Sequence, residues 1–278
     1  MLQKIIAYFE PYLAEGVCIA FSGGADSSLL LKAACLAREA HLEDRKKPLP
    51  ILALIAQTRL HPHEDTLQAQ ALALSMGAEC QILSIDEFDD PRIMDNPPNR
   101  CFLCKRLLFS SIKARAAQCG RLHVFDGTNE SDTKEYRPGL AALKELQIKS
   151  PLMELGITKD QVRQLSRQLH LETSDKPATP CMATRLPYGA RLNYNLLDRI
   201  HQGETALRQM GFYNVRLRYH HPLVRIEVDS RDLEKVVCQR EEIIRLIKEL
   251  GFSYVTLDLE GFRSGSMDLS LTDPSASL

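Results

Sequence analysis

An excess of charge of either sign is missing from this chain. It carries 35 basic and 36 acidic side chains, a formal net charge of −1 over 278 residues. That balance offers no broad electrostatic footprint for nucleic acid or for an anionic membrane surface. Long apolar runs are missing as well, since nothing approaches the roughly 20 residues of a membrane helix. The opening Met1–Leu13 lacks a basic start, a long apolar centre and a small-residue cleavage site, so it does not read as a signal peptide. A cytoplasmic protein with no membrane partner is expected. There is no GxxxxGK[ST] loop, no second CxxC, no paired-histidine motif and no internal repeat. These absences argue against a Walker-type nucleotide site and a four-ligand structural zinc site.

What is present is an ordinary apolar fraction of 44% and a length that suits two domains. Short apolar runs alternate with helical patterns. Strands are expected at 17–21, 51–56, 80–85 and 122–125. Helices are expected at 2–14, 27–38, 101–119, 140–146 and 159–169, with one more opened by Pro62 and closed by Gly77. Residues 86–100 hold no clear element. The alternation predicts an α/β fold, a parallel sheet with helices on both faces. After about residue 188 the pattern changes: a helix over 195–210, strands at 214–219 and 224–229, a mostly helical stretch over 231–250 and a strand at 254–259. A first domain over 1–187 and a smaller C-terminal α+β domain over 188–278 are expected.

Ser22-Gly23-Gly24-Ala25-Asp26-Ser27-Ser28 follows the first strand and opens a helix. Backbone N–H groups and the helix dipole favour an anion there. Gly23 and Gly24 permit close approach, and the serines add hydroxyls. The carboxylate of Asp26 would repel a phosphate unless a Mg²⁺ bridged them. Asp126-Gly127-Thr128-Asn129 is turn chemistry at the end of the fourth strand. Both segments lie at carboxyl ends of strands, where parallel sheets bind ligands.

Eight cysteines in a reducing compartment do not read as a disulfide framework. Cys18, Cys35, Cys80, Cys119 and Cys238 sit among apolar residues and read as packed thiols. Cys101-Phe102-Leu103-Cys104-Lys105 is a CxxC at a helix start, and Cys181 stands far downstream. A redox pair, half a zinc site and two of three iron–sulfur ligands are all readings of a lone CxxC. The last accounts best for the third cysteine.

Ser22 to Ser27 resembles the PP-loop of the ATP pyrophosphatases, and Asp126 to Asn129 looks like a second nucleotide element of that group. Tyr136-Arg137-Pro138-Gly139-Leu140, Ser150-Pro151-Leu152, Pro180-Cys181 through Arg185, and Arg263-Ser264-Gly265-Ser266 extend the likeness over nearly the whole chain. In these features the chain resembles the LarE family of ATP-dependent sulfur transferases. The resemblance implies adenylation of a carboxylate of pyridinium-3,5-biscarboxylic acid mononucleotide, then sulfur transfer to give a thiocarboxylate, as a step toward the nickel-pincer nucleotide. It implies ATP and Mg²⁺, with Gly127 and Thr128 beside the nucleotide. It also implies a closed homo-oligomer, a hexamer among the forms, working with other proteins of that biosynthesis.

In one branch of the family a single cysteine, at the Cys181 position, gives up its own sulfur. In another, three cysteines hold a [4Fe–4S] cluster that carries the sulfide. Cys101, Cys104 and Cys181 together look like the second branch. Arg185, Arg216, Arg218 and Arg263 resemble phosphate-binding positions, and bidentate guanidinium chemistry suits them. Glu204 and Glu227 are expected near the substrate or a divalent ion, and Lys105 and Arg137 near AMP or pyrophosphate. His61 and His63 read as helix-start chemistry, and His220-His221 is unassigned. The competing classes are an ammonia-using PP-loop synthetase, a tRNA thiolase and a non-catalytic nucleotide-binding regulator. The cysteine trio opposes the first, neutral charge the second, and Asp26 the third.

Overall fold

The structure is a computed structural model, and it describes residues 1–41, 49–61, 63–134, 138–176 and 180–263. Arg137, Tyr136 and Ser264–Ser266, named above, lie outside the described residues. The chain divides into two compact units, Met1–Asp90 with Asn99–Thr179, and Pro91–Pro98 with Pro180–Leu278. The second unit thus takes in the Cys181 segment, ahead of the change of pattern at residue 188.

The first unit holds a parallel sheet of β1 (Val17–Ala20), β2 (Leu52–Gln57), β3 (Glu79–Ser84) and β4 (His123–Phe125) in the order β3-β2-β1-β4. Cys18 pairs with Leu52 on one side and with Val124 on the other. Apolar side chains leave β1 on both faces, so helices cover both. On one face Val17, Ile19, Ile51, Ala53 and Ile55 pack with α1 (Leu2–Phe9), α2 (Ala25–His41), α3 (His63–Ser75) and α8 (Lys159–Gln168). On the other, Cys18, Leu52 and Leu54 pack with Phe109, Ile112 and Ala116 of α5 (Arg100–Gln118) and Leu143 of α6 (Gly139–Glu145). The α/β arrangement matches the expectation.

The strand order matters for function. The chain runs outward from β1 to β2 and β3, then returns to place β4 on the opposite side of β1. The carboxyl ends of β1 and β4 therefore flank a topological switch point, where a ligand crevice opens.

Several elements differ from the sequence pattern. The first helix ends at Phe9 and continues as a 3-10 turn over Glu10–Tyr12; Pro11 has no N–H to carry an α-helix on. Residues 86–100, read as lacking structure, hold a 3-10 turn at Glu87–Asp89 and α4 (Pro91–Met94). Pro151–Glu154 forms the short helix α7.

The second unit carries the sheet β5 (Val215–His220), β6 (Leu223–Val228) and β7 (Tyr254–Leu257), antiparallel then parallel. Val215, Leu217, Val224, Ile226 and Val228 are buried on one face. The neighbouring helices α9 (Tyr194–Gln209) and α11 (Arg240–Glu249) bury Leu197, Ile200, Leu207, Ile243 and Ile247. Gly203 lets α9 lie close to the sheet, since a Cβ there would come within 2.5 Å of the Leu217 side chain. The opposite sheet face holds Arg216, Arg218, Arg225 and Glu227. The stretch 231–250, expected to be mostly helix, holds α10 (Leu233–Cys238) and α11, separated at Gln239. Cys238 is exposed rather than packed. Among the described residues no helix is long and apolar enough to cross a membrane.

Candidate nucleotide site and arginine cluster

The loop after β1 is folded around Ser27. Its hydroxyl donates to the Gly24 carbonyl (3.2 Å) and accepts from the Ser22 N–H (3.3 Å), while the Gly24 N–H donates to the Ser22 hydroxyl (3.4 Å). Two glycines set how closely the loop is approached. Gly23 has φ +70°, and a Cβ there would meet the Ala69 Cβ of α3 at 2.8 Å. Gly127 touches the loop from the β4 side: a Cβ would fall 2.9 Å from the Ser27 nitrogen and 3.1 Å from the Asp26 carbonyl carbon. The two sequence motifs, a hundred residues apart, are thus in van der Waals contact through backbone.

Asp26 and Asn129 join them further. The Asn129 amide donates to Asp26 (2.9 Å), and the Asn129 backbone N–H donates to Asp132 (3.0 Å). Burial pushes the Asp26 carboxyl up from its ordinary range; the Asn129 bond opposes this and the nearby Asp132 charge adds to it. Asn129 is only 2% exposed, and the carbonyl oxygen of its side chain has no hydrogen-bond partner among the described residues. Hard oxygen donors on Asp26, Asn129 and Asp132 fit a Mg²⁺. The Thr128 hydroxyl donates to Asp126, as does that of Ser150.

A cavity of about 430 Å³ opens over the loop. Ser22, Gly24, Asp26, Asn129, Asp132, Lys159, Arg163 and Lys176 form its polar part, and Phe21, Leu54, Ala56, Leu108, Phe109 and Val162 its apolar part. Such a mixture of polar and apolar lining suits a nucleotide, which carries both phosphates and a base. Thr58, His61 and Thr66 also line the cavity. Lys159, Arg163, Lys176, Asp132 and Thr58 were not singled out by sequence. One signal was available: Lys159 and Arg163 stand one turn apart on a helix opened by the Thr158–Gln161 capping box. His61, read as helix-start chemistry, lines the cavity instead; the side chain of His63 lies outside the described residues.

Cys101 and Cys104 occupy the first turn of α5, the former exposed and the latter half-buried. The Arg100 guanidinium lies 3.7 Å from the Cys101 sulfur. The stem of Lys105 runs across Gly139, where a Cβ would come within 2.6 Å of it.

In the second unit Cys181 is half-buried just before the 3-10 turn Met182–Arg185. Its carbonyl accepts from the Thr184 N–H (3.1 Å) and hydroxyl (2.8 Å). Arg185, 1% exposed, grips Glu204 with two parallel bonds of 2.8 and 2.9 Å and also donates to the Pro180 carbonyl (3.2 Å). Glu204 further accepts from Arg208 (3.0 Å) and from the Leu217 N–H of the edge strand β5 (3.0 Å). Arg218 donates to Glu227 (3.0 Å) and to the Thr184 carbonyl (2.7 Å), and Arg225 pairs with Glu227 and Asp258. Both glutamates expected beside a divalent ion are thus wholly buried among guanidiniums.

Of the four arginines expected to bind phosphate, Arg185, Arg218 and Arg263 each pair with a carboxylate. Arg216 differs. It donates to the Val215 carbonyl (2.8 Å), its centre lies 5.2 Å from the Phe262 ring centroid, and its Nε has no partner among the described residues. Burial, and then the neighbouring Arg185, push its guanidinium down to about 10. Among the described residues no three His, Cys, Asp or Glu side chains converge as a metal centre.

The parallel sheet with helices on both faces, a phosphate-type loop at its switch point and a smaller second unit define an α/β protein of the PP-loop class. No family model matches the chain. It is 35% identical to the pyridinium-3,5-bisthiocarboxylic acid mononucleotide synthase of Lactiplantibacillus plantarum, over 93% of this chain and 91% of that protein. An uncharacterized protein of Synechocystis sp. is 37% identical over 98% of this chain and 100% of its own. A further uncharacterized protein, from Methanocaldococcus jannaschii, is 29% identical over 92% of this chain and 94% of its own. The chain belongs to the LarE family, that of the Lactiplantibacillus synthase.

Proposed function

We propose that this chain is an ATP-dependent sulfur transferase that converts a ring carboxylate of pyridinium-3,5-biscarboxylic acid mononucleotide into a thiocarboxylate. The observation that carries the reading is the seating of Gly127 and Asn129 on a phosphate-type loop, in a chain so similar to a synthase of the bisthiocarboxylic product.

A carboxylate is a poor electrophile. Its oxygen attacks the α-phosphorus of ATP, and pyrophosphate leaves with the electrons of the broken P–O bond. The N–H groups at the start of α2 hold the phosphates, and Lys159 and Arg163 face the charge that builds on the leaving group. Asp26, Asn129 and Asp132 would hold Mg²⁺, which when bound neutralises phosphate charge. A sulfur nucleophile then attacks the acyl carbon, and the C–O bond breaks to release AMP. That sulfur acts as a thiolate or bound sulfide, since a neutral thiol is a weak nucleophile. Cys101, Cys104 and Cys181 would hold a [4Fe–4S] cluster, which supplies the transferable sulfide. Arg216, which forms no ion pair with a carboxylate among the described residues, anchors the substrate's phosphate. A cytoplasmic homo-oligomer is part of the same proposal.

Incubation with ATP, Mg²⁺ and the biscarboxylic acid mononucleotide tests this. AMP and pyrophosphate in equal amounts, dependent on the acid, are the expected products. ADP with inorganic phosphate would overturn the adenylating chemistry.

A further inference from the structure

Behind the β2-side wall of the cavity, bonded to the lining residue Thr58, lies a buried charge that the proposed chemistry does not use. Glu87, in the turn after β3, is 0% exposed. Its carboxylate accepts from the Arg59 N–H (3.2 Å) and the Leu60 N–H (3.4 Å), and the Thr58 hydroxyl bonds to it as well. All three donors belong to the segment that leaves β2, from which Thr58 and His61 line the cavity. Thr58 in turn lies 2.9 Å from His61 Nδ1, and both line the cavity.

A buried carboxylate is an expensive way to fill space, because desolvation penalises its charge. Burial does push the Glu87 carboxyl up from its ordinary range, while hydrogen bonds from the Thr58 hydroxyl and from the Glu87, Arg59 and Leu60 N–H groups pull it down. An apolar side chain would pack the same volume at lower cost, and Leu60 beside it is already a fully buried apolar anchor. What a carboxylate adds is direction. It accepts only, so it orders three donors at once. The hydroxyl of Thr58 has one proton, and that proton points at Glu87. The Thr58 oxygen therefore accepts from His61, which places the imidazole proton on Nδ1. Position and hydrogen-bond polarity of the wall both follow from one acid.

We infer that Glu87 is a positioning residue for nucleotide binding, acting through Thr58 on the β2-side wall of the cavity. The inference rests on the reading of this cavity as the ATP site and goes beyond it by naming what holds the wall.

The test is ATP affinity measured by calorimetry on the full chain with Mg²⁺, for the wild type, Glu87→Gln, Thr58→Val and the double variant. An amide in place of the carboxylate turns one acceptor into a donor facing an N–H, so Glu87→Gln should weaken ATP binding about tenfold or more. Thr58→Val, a milder change, should weaken it in the same direction. Because both act through one relay, the double variant should bind no worse than Glu87→Gln, within about threefold. A merely structural defect lowers the fraction of active protein, seen as binding stoichiometry, and leaves the affinity of the folded remainder unchanged. Wild-type affinity in both single variants overturns the inference, and so do losses that multiply in the double variant. A wild type that fails to bind ATP sinks the nucleotide reading itself, which separates the two failures.

Discussion

Replacing Gly127 by Ala adds one methyl group at the junction of the two nucleotide motifs. The new Cβ would sit 2.9 Å from the Ser27 nitrogen and 3.1 Å from both the Asp26 carbonyl carbon and the Ser27 Cα. Ordinary carbon contacts lie near 3.5–4.0 Å, so the loop must retreat by about half an ångström or more. All three contacts are backbone atoms, and no side chain can rotate away. Overpacking of this kind costs about 1–3 kcal/mol of stability. The retreat also carries Asp26 and the α2 N-terminus away from the phosphates, and misplacement on that scale lowers rates by about 10- to 100-fold. Thermal melting, ATP affinity and the rate of AMP release give the three readouts. Gly77→Ala is the control: its backbone is at φ +81°, but none of the described residues lies within 4 Å of the added Cβ. It should lose about 1 kcal/mol of stability and no ATP affinity. Wild-type affinity and turnover in Gly127→Ala would refute the claim that this contact sets the loop.

Arg185→Ala strips the bidentate partner from a fully buried Glu204 and frees the Cys181 segment; a loss of about 3–5 kcal/mol is expected in urea unfolding. Asp26→Asn removes a carboxylate whose pKa burial raises, a group whose ionisation opposes folding above its folded value. The variant should therefore be more heat-stable than the wild type at neutral pH and inactive, and the stability gap should close as pH falls through the raised value, as melting curves across pH would show. Anaerobic reconstitution should give about four irons per chain, and Cys101→Ser should abolish the cluster absorbance. If iron and activity survive both Cys101→Ser and Cys104→Ser, Cys181 alone carries sulfur, and mass spectrometry should then find it converted to dehydroalanine.

The α/β core was legible because each of its strands is a short apolar run closed by turn chemistry, as in Val17–Phe21 before Ser22-Gly23-Gly24. The contact between the loop and Asp126–Asn129 was legible in outline, since both follow strands of one parallel sheet. That Gly127 itself makes the contact was not, because it depends on three-dimensional approach. Thr128 read as nucleotide-facing, yet its hydroxyl is taken by Asp126. The arginines were visible as an Arg-x-Arg strand face, but the partners that neutralise Arg185 and Arg218 lie 19 and 9 residues away. Periodicity carries no sign of such pairings. Glu87 escaped notice for the same reason: its donors come from the end of a different strand.

The central claim is that ATP activates a carboxylate of the substrate. The most direct measurement uses biscarboxylic acid mononucleotide labelled with a heavy oxygen isotope in its carboxylates, with mass analysis of the AMP released during thiocarboxylate formation. If the carboxylate oxygen attacks the α-phosphorus and sulfur then breaks the C–O bond, the AMP must carry one heavy oxygen. Unlabelled AMP would contradict the account.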